Sequence, residues 1–249
     1  MVLSEKLFMK FLIALFSLCI FIACASNEIG NSKDVNPQSI FIDYSVIAEE
    51  TDDSVTCLAQ FRFAGENGTT LVLNDPSCIK IDEMNVSVDS NNVMGAFYKR
   101  KFATASFAGS HSWKYIDRES NQYLTGFVFS PFKLKNKLPA SQSRGDSLLI
   151  KLDGLQNGAM VSVQLSDTSS KTEDVILKNN IKNGELLIAA STWQYLRPGP
   201  VCVGIYNTID TSLPIDARPA EGGRLYVNYS LKKREINLKN DPLSYSSKF

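Results

Sequence analysis

The sequence predicts an all-β protein built as two tandem antiparallel β-sandwich domains behind an apolar N-terminal segment and a polar tether. Three observations carry this. Short runs of alternating or continuous apolar residues recur throughout the chain after residue 38. Turn chemistry punctuates them: Asn67-Gly68, Asn74-Asp75-Pro76, Asp153-Gly154, Asn157-Gly158, Asn183-Gly184 and Gly222-Gly223. No stretch of this region holds a helical period, although 191–196 can make one turn ahead of Arg197-Pro198-Gly199-Pro200.

The chain opens with Lys6 and Lys10, followed by an uncharged apolar run over 11–23, the layout of a secretory signal. As a helix this run would rise roughly 20 Å, short of a hydrocarbon core about 30 Å thick. It ends in Phe21-Ile22-Ala23-Cys24, which resembles the lipobox of bacterial lipoproteins. The resemblance implies cleavage before Cys24, lipidation of that cysteine, and a mature chain held on a membrane by acyl chains. Each buried methylene contributes about 0.8 kcal/mol, so several chains together anchor stably. Asp does not follow Cys24, so the resemblance favours the outer membrane, with the periplasmic or surface-exposed face open. Residues 24–38 are small and polar without an apolar period, and read as a flexible tether.

The first domain is read over 39–134, with strands expected at 40–48, 54–63, 70–73, 79–81, 84–88, 96–102, 112–116 and 123–129. The hairpin at 112–129 concentrates Trp113, Tyr115, Tyr123, Phe127 and Phe129. Strand aromatics mostly fill cores or pair across strands. If Trp113, Tyr115 and Tyr123 were exposed together instead, they would form a platform for a sugar or a partner protein. The stretch 133–140, charged and Pro-containing, breaks the pattern and reads as the joint.

The second domain is read over 138–238, with strands at 147–152, 160–166, 175–181, 185–189, 201–206 and 224–231, and a tail over 239–249. Leu148, Ile150 and Leu152 mark one apolar face, and Val161, Val163 and Leu165 another. Asn183-Gly184 has the spacing of a tight hairpin, because both residues tolerate positive φ. About 210 residues after the tether suit two sandwiches of roughly 100 each, with a single larger β structure as the alternative. The order of 148–152, Asn157-Gly158, 160–166, 186–191 and 201–206 is similar to the later strands of immunoglobulin-like or fibronectin-type sandwiches. It lacks the paired cysteines and core tryptophan spacing of antibody domains.

The chain carries 26 basic and 26 acidic residues. Without a basic excess, nucleic acid is not expected as a partner. The densest basic patch, Lys232-Lys233-Arg234, reads as a solvated strand end. Cys19 and Cys24 belong to the N-terminal segment, leaving Cys57, Cys78 and Cys202. Cys57 with Cys78 is the natural candidate disulfide in an oxidising compartment, against a buried free thiol at Cys57.

Chemistry is sparse. The single histidine, His111, has no Gly-x-Ser-x-Gly partner motif and is assigned no role. The acidic run Glu49-Glu50-Thr51-Asp52-Asp53 supplies oxygen ligands of the kind calcium takes, yet reads first as a solvated turn. No cofactor or metal is expected. A hydrolase would need carboxylates such as Asp43, or Asp82 with Glu83, to converge in a pocket. The sequence reads as a non-catalytic, lipid-anchored envelope protein serving as a binding or spacer module, with protein or carbohydrate as ligand. The alternatives are a hydrolytic envelope enzyme and an accessory subunit of an envelope complex.

Overall fold

A computed structural model describes residues 29–167 and 174–240. The apolar N-terminal segment, Cys24 and the end of the tail lie outside the described residues. Among the described residues nineteen strands form. The N-terminal half holds β1 (Ile29–Asn31), β2 (Ile40–Glu49), β3 (Ser54–Phe63), β4 (Thr69–Val72), β5 (Cys78–Ile81), β6 (Met84–Asn85), β7 (Ser87–Asn91), β8 (Gly95–Ala103), β9 (Gly109–Ile116) and β10 (Gln122–Phe129). The C-terminal half holds β11 (Lys133–Leu134), β12 (Ser141–Ser143), β13 (Leu148–Asp153), β14 (Met160–Asp167), β15 (Val175–Asn180), β16 (Glu185–Ile188), β17 (Gly199–Ser212), β18 (Gly223–Ser230) and β19 (Arg234–Lys239).

The all-β class and the sandwich layering are as the sequence predicts, and one sheet runs through both halves of the chain. Its order is β1-β4-β3-β2-β18-β17-β14-β15, with β8 and β7 continuing from β3, and β19 and β12 from β17. The junction is a parallel pairing of β2 with β18, in register from Ile42↔Gly223 to Glu49↔Ser230. Parallel contacts also join β1 to β4 and β12 to β19. A second layer, β10-β9-β5-β6, covers the N-terminal half, and β11-β13-β16 covers the C-terminal half.

Alternation decides which side chains go inside. On β2, Ile40, Ile42, Tyr44, Val46 and Ala48 are buried, while Phe41, Asp43 and Ser45 lie on the other face. Trp113 of β9 stacks on Tyr44 with ring centroids 4.9 Å apart, and Tyr115 packs on Phe61 at 4.7 Å. The apolar faces of β13, β14 and β16 close the other half, and Trp193, from a 3-10 turn at Ala190–Tyr195, is buried there. The core is continuous: Tyr229 of β18 meets Phe129 and Phe132 edge-on, at 5.8 and 5.5 Å.

Two expectations need correction. Residues 29–38 are part of the body, not a flexible tether. Ile29–Asn31 pairs with β4, the Asn74 N–H donates to the Ser32 hydroxyl, and Arg118 donates to the Lys33 carbonyl. Composition suggested a tether because these small polar side chains act as specific hydrogen-bond partners, which leaves no apolar period. At Asn183-Gly184 the turn forms, with φ of 54° and 72°, and is closed by Glu185 N–H to Lys182 O. The strands it joins then diverge, β15 pairing with β14 and β16 with β13 in the facing sheet. Burying Ile181 between the layers turns the hairpin into a crossover.

Candidate functional site

Three stretches that break the strand pattern in the sequence meet at one place. The acidic run ends β2, the charged joint follows β10, and the basic patch precedes β19. Together they line a depression of about 510 Å³, formed by Glu50, residues 134–138, Arg234 and Glu235. Each is brought there for a local reason. The parallel β2–β18 ladder ends at Glu49↔Ser230, and the Glu50 N–H continues it by donating to the Ser230 carbonyl. The joint begins as β11, paired with β13, after which the Lys135 N–H donates to Lys151 O and the Lys151 N–H to Asn136 Oδ1. The segment is therefore tied along its length to the C-terminal half.

The floor of the depression is an ion pair. Arg234 Nη2 lies 2.8 and 3.1 Å from the two carboxylate oxygens of Glu50, and both side chains are mostly shielded from water. The Lys232 N–H donates to the same carboxylate at 3.0 Å, and Arg234 Nη1 donates to Lys232 O. Asp52 Oδ2 accepts from the Glu49 N–H, so it too serves its own turn. Among the described residues, no group of three or more His, Cys, Asp or Glu side chains is placed to hold a metal ion. Lys135 and Lys137 stand exposed at the rim, with Leu134 and Leu138 half-buried between them. The chemistry on offer is a polar, hydrogen-bonding cleft with two apolar contacts. Sites of this volume commonly form where two domains meet.

The other singled-out residues sit elsewhere. Trp113 and Tyr115 are fully buried and Tyr123 nearly so; they do not form a binding platform. The hairpin register pairs Tyr115 with Tyr123, and the pleat turns this face toward the core, stacking those rings at 5.7 Å. Tyr115 carries its hydroxyl well above the ordinary phenol range, first because burial disfavours the phenolate and then because of Asp117. Cys57, Cys78 and Cys202 are free thiols, so Cys57 and Cys78 are not bridged. Burial pushes the Cys57 thiol up to about 12, with the Asp82 carboxylate adding to the shift.

The three candidate carboxylates do not converge. Asp43 lies on the outer face of the shared sheet, opposite Arg224 in register and 3.8 Å from its Nε. Its carboxyl is raised above the ordinary range by burial, against the pull of Arg224 and Arg62. Asp82 and Glu83 form the positive-φ turn between β5 and β6 in the facing sheet. Asp82 holds His111 Nδ1 at 2.7 Å and accepts the Ser112 N–H at 2.9 Å, whereas Glu83 faces Lys114. His111 Nε2 meets the Phe107 carbonyl at 2.9 Å, and the ring stacks on Phe107 at 3.8 Å. Both ring nitrogens are thereby engaged, and the imidazole ties the 104–109 loop to the β5–β6 turn. Complementary charge runs at 49–53 and 232–234 were the sequence signal for the Glu50–Arg234 pair. Nothing short of the sheet order could have placed Arg224 beside Asp43.

No protein-family model matches the chain, and no curated protein matches it. Among solved structures, it is similar to DIP-gamma IG1+IG2 at 11% identity and a TM-score of 0.23, covering 81% of this chain and 95% of that one. It is also similar to the SGBP-B protein of a Bacteroides ovatus mixed-linkage glucan utilization locus, solved with a mixed-linkage heptasaccharide. That match has 11% identity and a TM-score of 0.18, covering 85% of this chain and 66% of the other. The chain thus spans just under two thirds of the second neighbour. Similarities at these scores carry no functional argument.

Proposed function

We propose that this chain is a lipid-anchored cell-envelope protein, held through Cys24, whose fused β body is a non-catalytic module that takes a polar ligand at the seam and holds it away from the membrane. The observation that carries the reading is the continuous sheet. β17, 14 residues long, pairs with β14 and β19 through its first part and with β18 through its last. At about 3.4 Å per residue this single strand extends roughly 45 Å, and β18, paired along its last part, is itself paired with β2, so the strand joins the C-terminal sandwich to the sheet of the N-terminal half. The Glu50–Arg234 pair and the shared core close the remaining freedom at the joint. A rigid seam lined by Asn136, Lys137, Glu235 and two leucines suits a hydroxyl-rich ligand such as a carbohydrate, or a polar protein segment.

Two measurements test this. Intact-mass analysis of membrane-extracted protein should give a chain starting at Cys24 with acyl chains, lost in Cys24→Ala; an unlipidated mass in the wild type removes the anchor. Screening the full protein against a panel of cell-surface glycans should return binding that Asn136→Ala with Lys137→Glu abolishes. Binding unchanged by that double substitution would move the site elsewhere.

A further inference from the structure

The strand directions collect one end of the N-terminal half. β1 runs parallel to β4, so Ile29 lies beside Thr70 at the start of β4, next to the turn over 64–68. The end of β3 is here, since Phe63 pairs with Thr69, and so is the start of β2, since the Ala64 N–H donates to Ser39 O. The β7–β8 tip presses on the same place. The Ala96 N–H donates to Thr70 Oγ1, and a Cβ at Gly95 would fall 2.2 Å from that hydroxyl, so only glycine permits the approach. The β17–β18 loop over 213–222 completes the end, with the Ala220 and Glu221 N–H groups donating to Gln38.

The two most exposed large apolar side chains among the described residues are Val93, at 89%, and Ile215, at 84%. Both sit on tips at this end, along with Ile29 at 44% and Phe63 at 40%. The end also receives the chain from Cys24. Five Cα steps separate Cys24 from Ile29, a reach of at most about 18 Å whatever path they take. On the anchored reading proposed above, on which this inference rests, a lipidated Cys24 places Ile29 and its neighbours against the headgroup layer.

We infer that this end is a membrane-contacting face, with the 91–95 and 213–217 tips seated in the lipid interface and the β11-β13-β16 layer directed outward. The partner is lipid itself. Exposed apolar tips clustered around an anchor point match what an interface offers. Acidic Glu66, Asp216 and Glu221 here are balanced by Arg62, Arg218 and Arg224, so the contact is apolar and does not require anionic lipid.

The test uses the full-length, membrane-extracted protein reconstituted in phosphatidylcholine vesicles containing a phosphatidylcholine with an acyl-chain diazirine. Photolysis should label peptides covering 91–95 and 213–217 several-fold more than the peptide covering 190–197, where Tyr195 is also exposed. Val93→Asp with Ile215→Asp should lower that labelling several-fold, whereas Tyr195→Asp leaves it unchanged. The same sample is weighed intact. Acyl mass on Cys24 with labelling elsewhere, or none, overturns the face while the anchor stands. Absence of acyl mass removes the anchor, and the inference with it.

Discussion

Glu50 and Arg234, 184 residues apart in the chain, meet through one guanidinium nitrogen placed between both carboxylate oxygens, at 2.8 and 3.1 Å. The pair spans the line where β2 of the N-terminal half meets the C-terminal strands, and both side chains are mostly shielded, with relative exposures of 26% for Glu50 and 30% for Arg234. Charge-assisted hydrogen bonds in such partial burial exceed those at an open surface. Glu50→Ala should therefore cost about 1–3 kcal/mol, because it also leaves the Arg234 guanidinium and the Lys232 N–H without their acceptor. Urea unfolding of Glu50→Ala, Arg234→Ala and the double variant should show a coupling of about 1 kcal/mol. Strict additivity would mean that the pair adds nothing to the hold already exerted by the shared sheet and core.

Trp113, on β9, and Tyr195, at the end of the 3-10 turn, lie in opposite environments. Trp113 is completely buried against Tyr44, whereas Tyr195 is largely exposed. Trp113→Ala should cost about 3–5 kcal/mol as a large cavity opens between the layers. Tyr195→Ala should stay within about 0.5 kcal/mol. Comparable losses in thermal unfolding would contradict the assignment of the β9–β10 aromatics to the core.

Asp82 has φ of 47°, a conformation that Asn adopts more readily than Ala, and its two oxygens serve His111 and the Ser112 N–H. Asp82→Asn keeps an acceptor for Ser112 and should cost less than about 1 kcal/mol, with Asp82→Ala costing about 1–3 kcal/mol. Hydrogen exchange of residues 104–112 distinguishes a local effect from a global one. Faster exchange there in Asp82→Ala, beyond the rest of β9, is the expected signature of a released His111 tie.

Alkaline pH should destabilise the fold through its buried thiol. The Cys57 thiol is raised from 9.0 to about 12, so the folded state holds a proton that the unfolded chain has already given up. This contribution to stability is fully present below about pH 9 and is lost as pH rises toward 12. Tyr44, Tyr98 and Tyr115, raised chiefly by burial, act in the same direction. Cys57→Ala should flatten the fall in unfolding free energy across this window. At neutral pH, iodoacetamide should leave Cys57 unmodified until the protein is unfolded.

The sequence by itself determined the all-β class, the strands other than β1, β11, β12 and β19, and the inward faces of β13 and β14, because alternation at period two is a local property written in consecutive residues. It also marked the stretches at 49–53, 133–140 and 232–234 as departures from that pattern. Only the tertiary structure decided that these three meet, that the two sandwiches share one sheet through parallel β2 and β18, and that β15 and β16 part into different layers. Strand order and register between distant segments depend on how two apolar faces close over a common core. The alternation of a single strand does not specify its neighbour. For the same reason the aromatics of β9 and β10 could be read as a platform until the facing sheet covered them. Residues 29–38 could be read as a tether until Asn74, Arg118 and β4 supplied their partners.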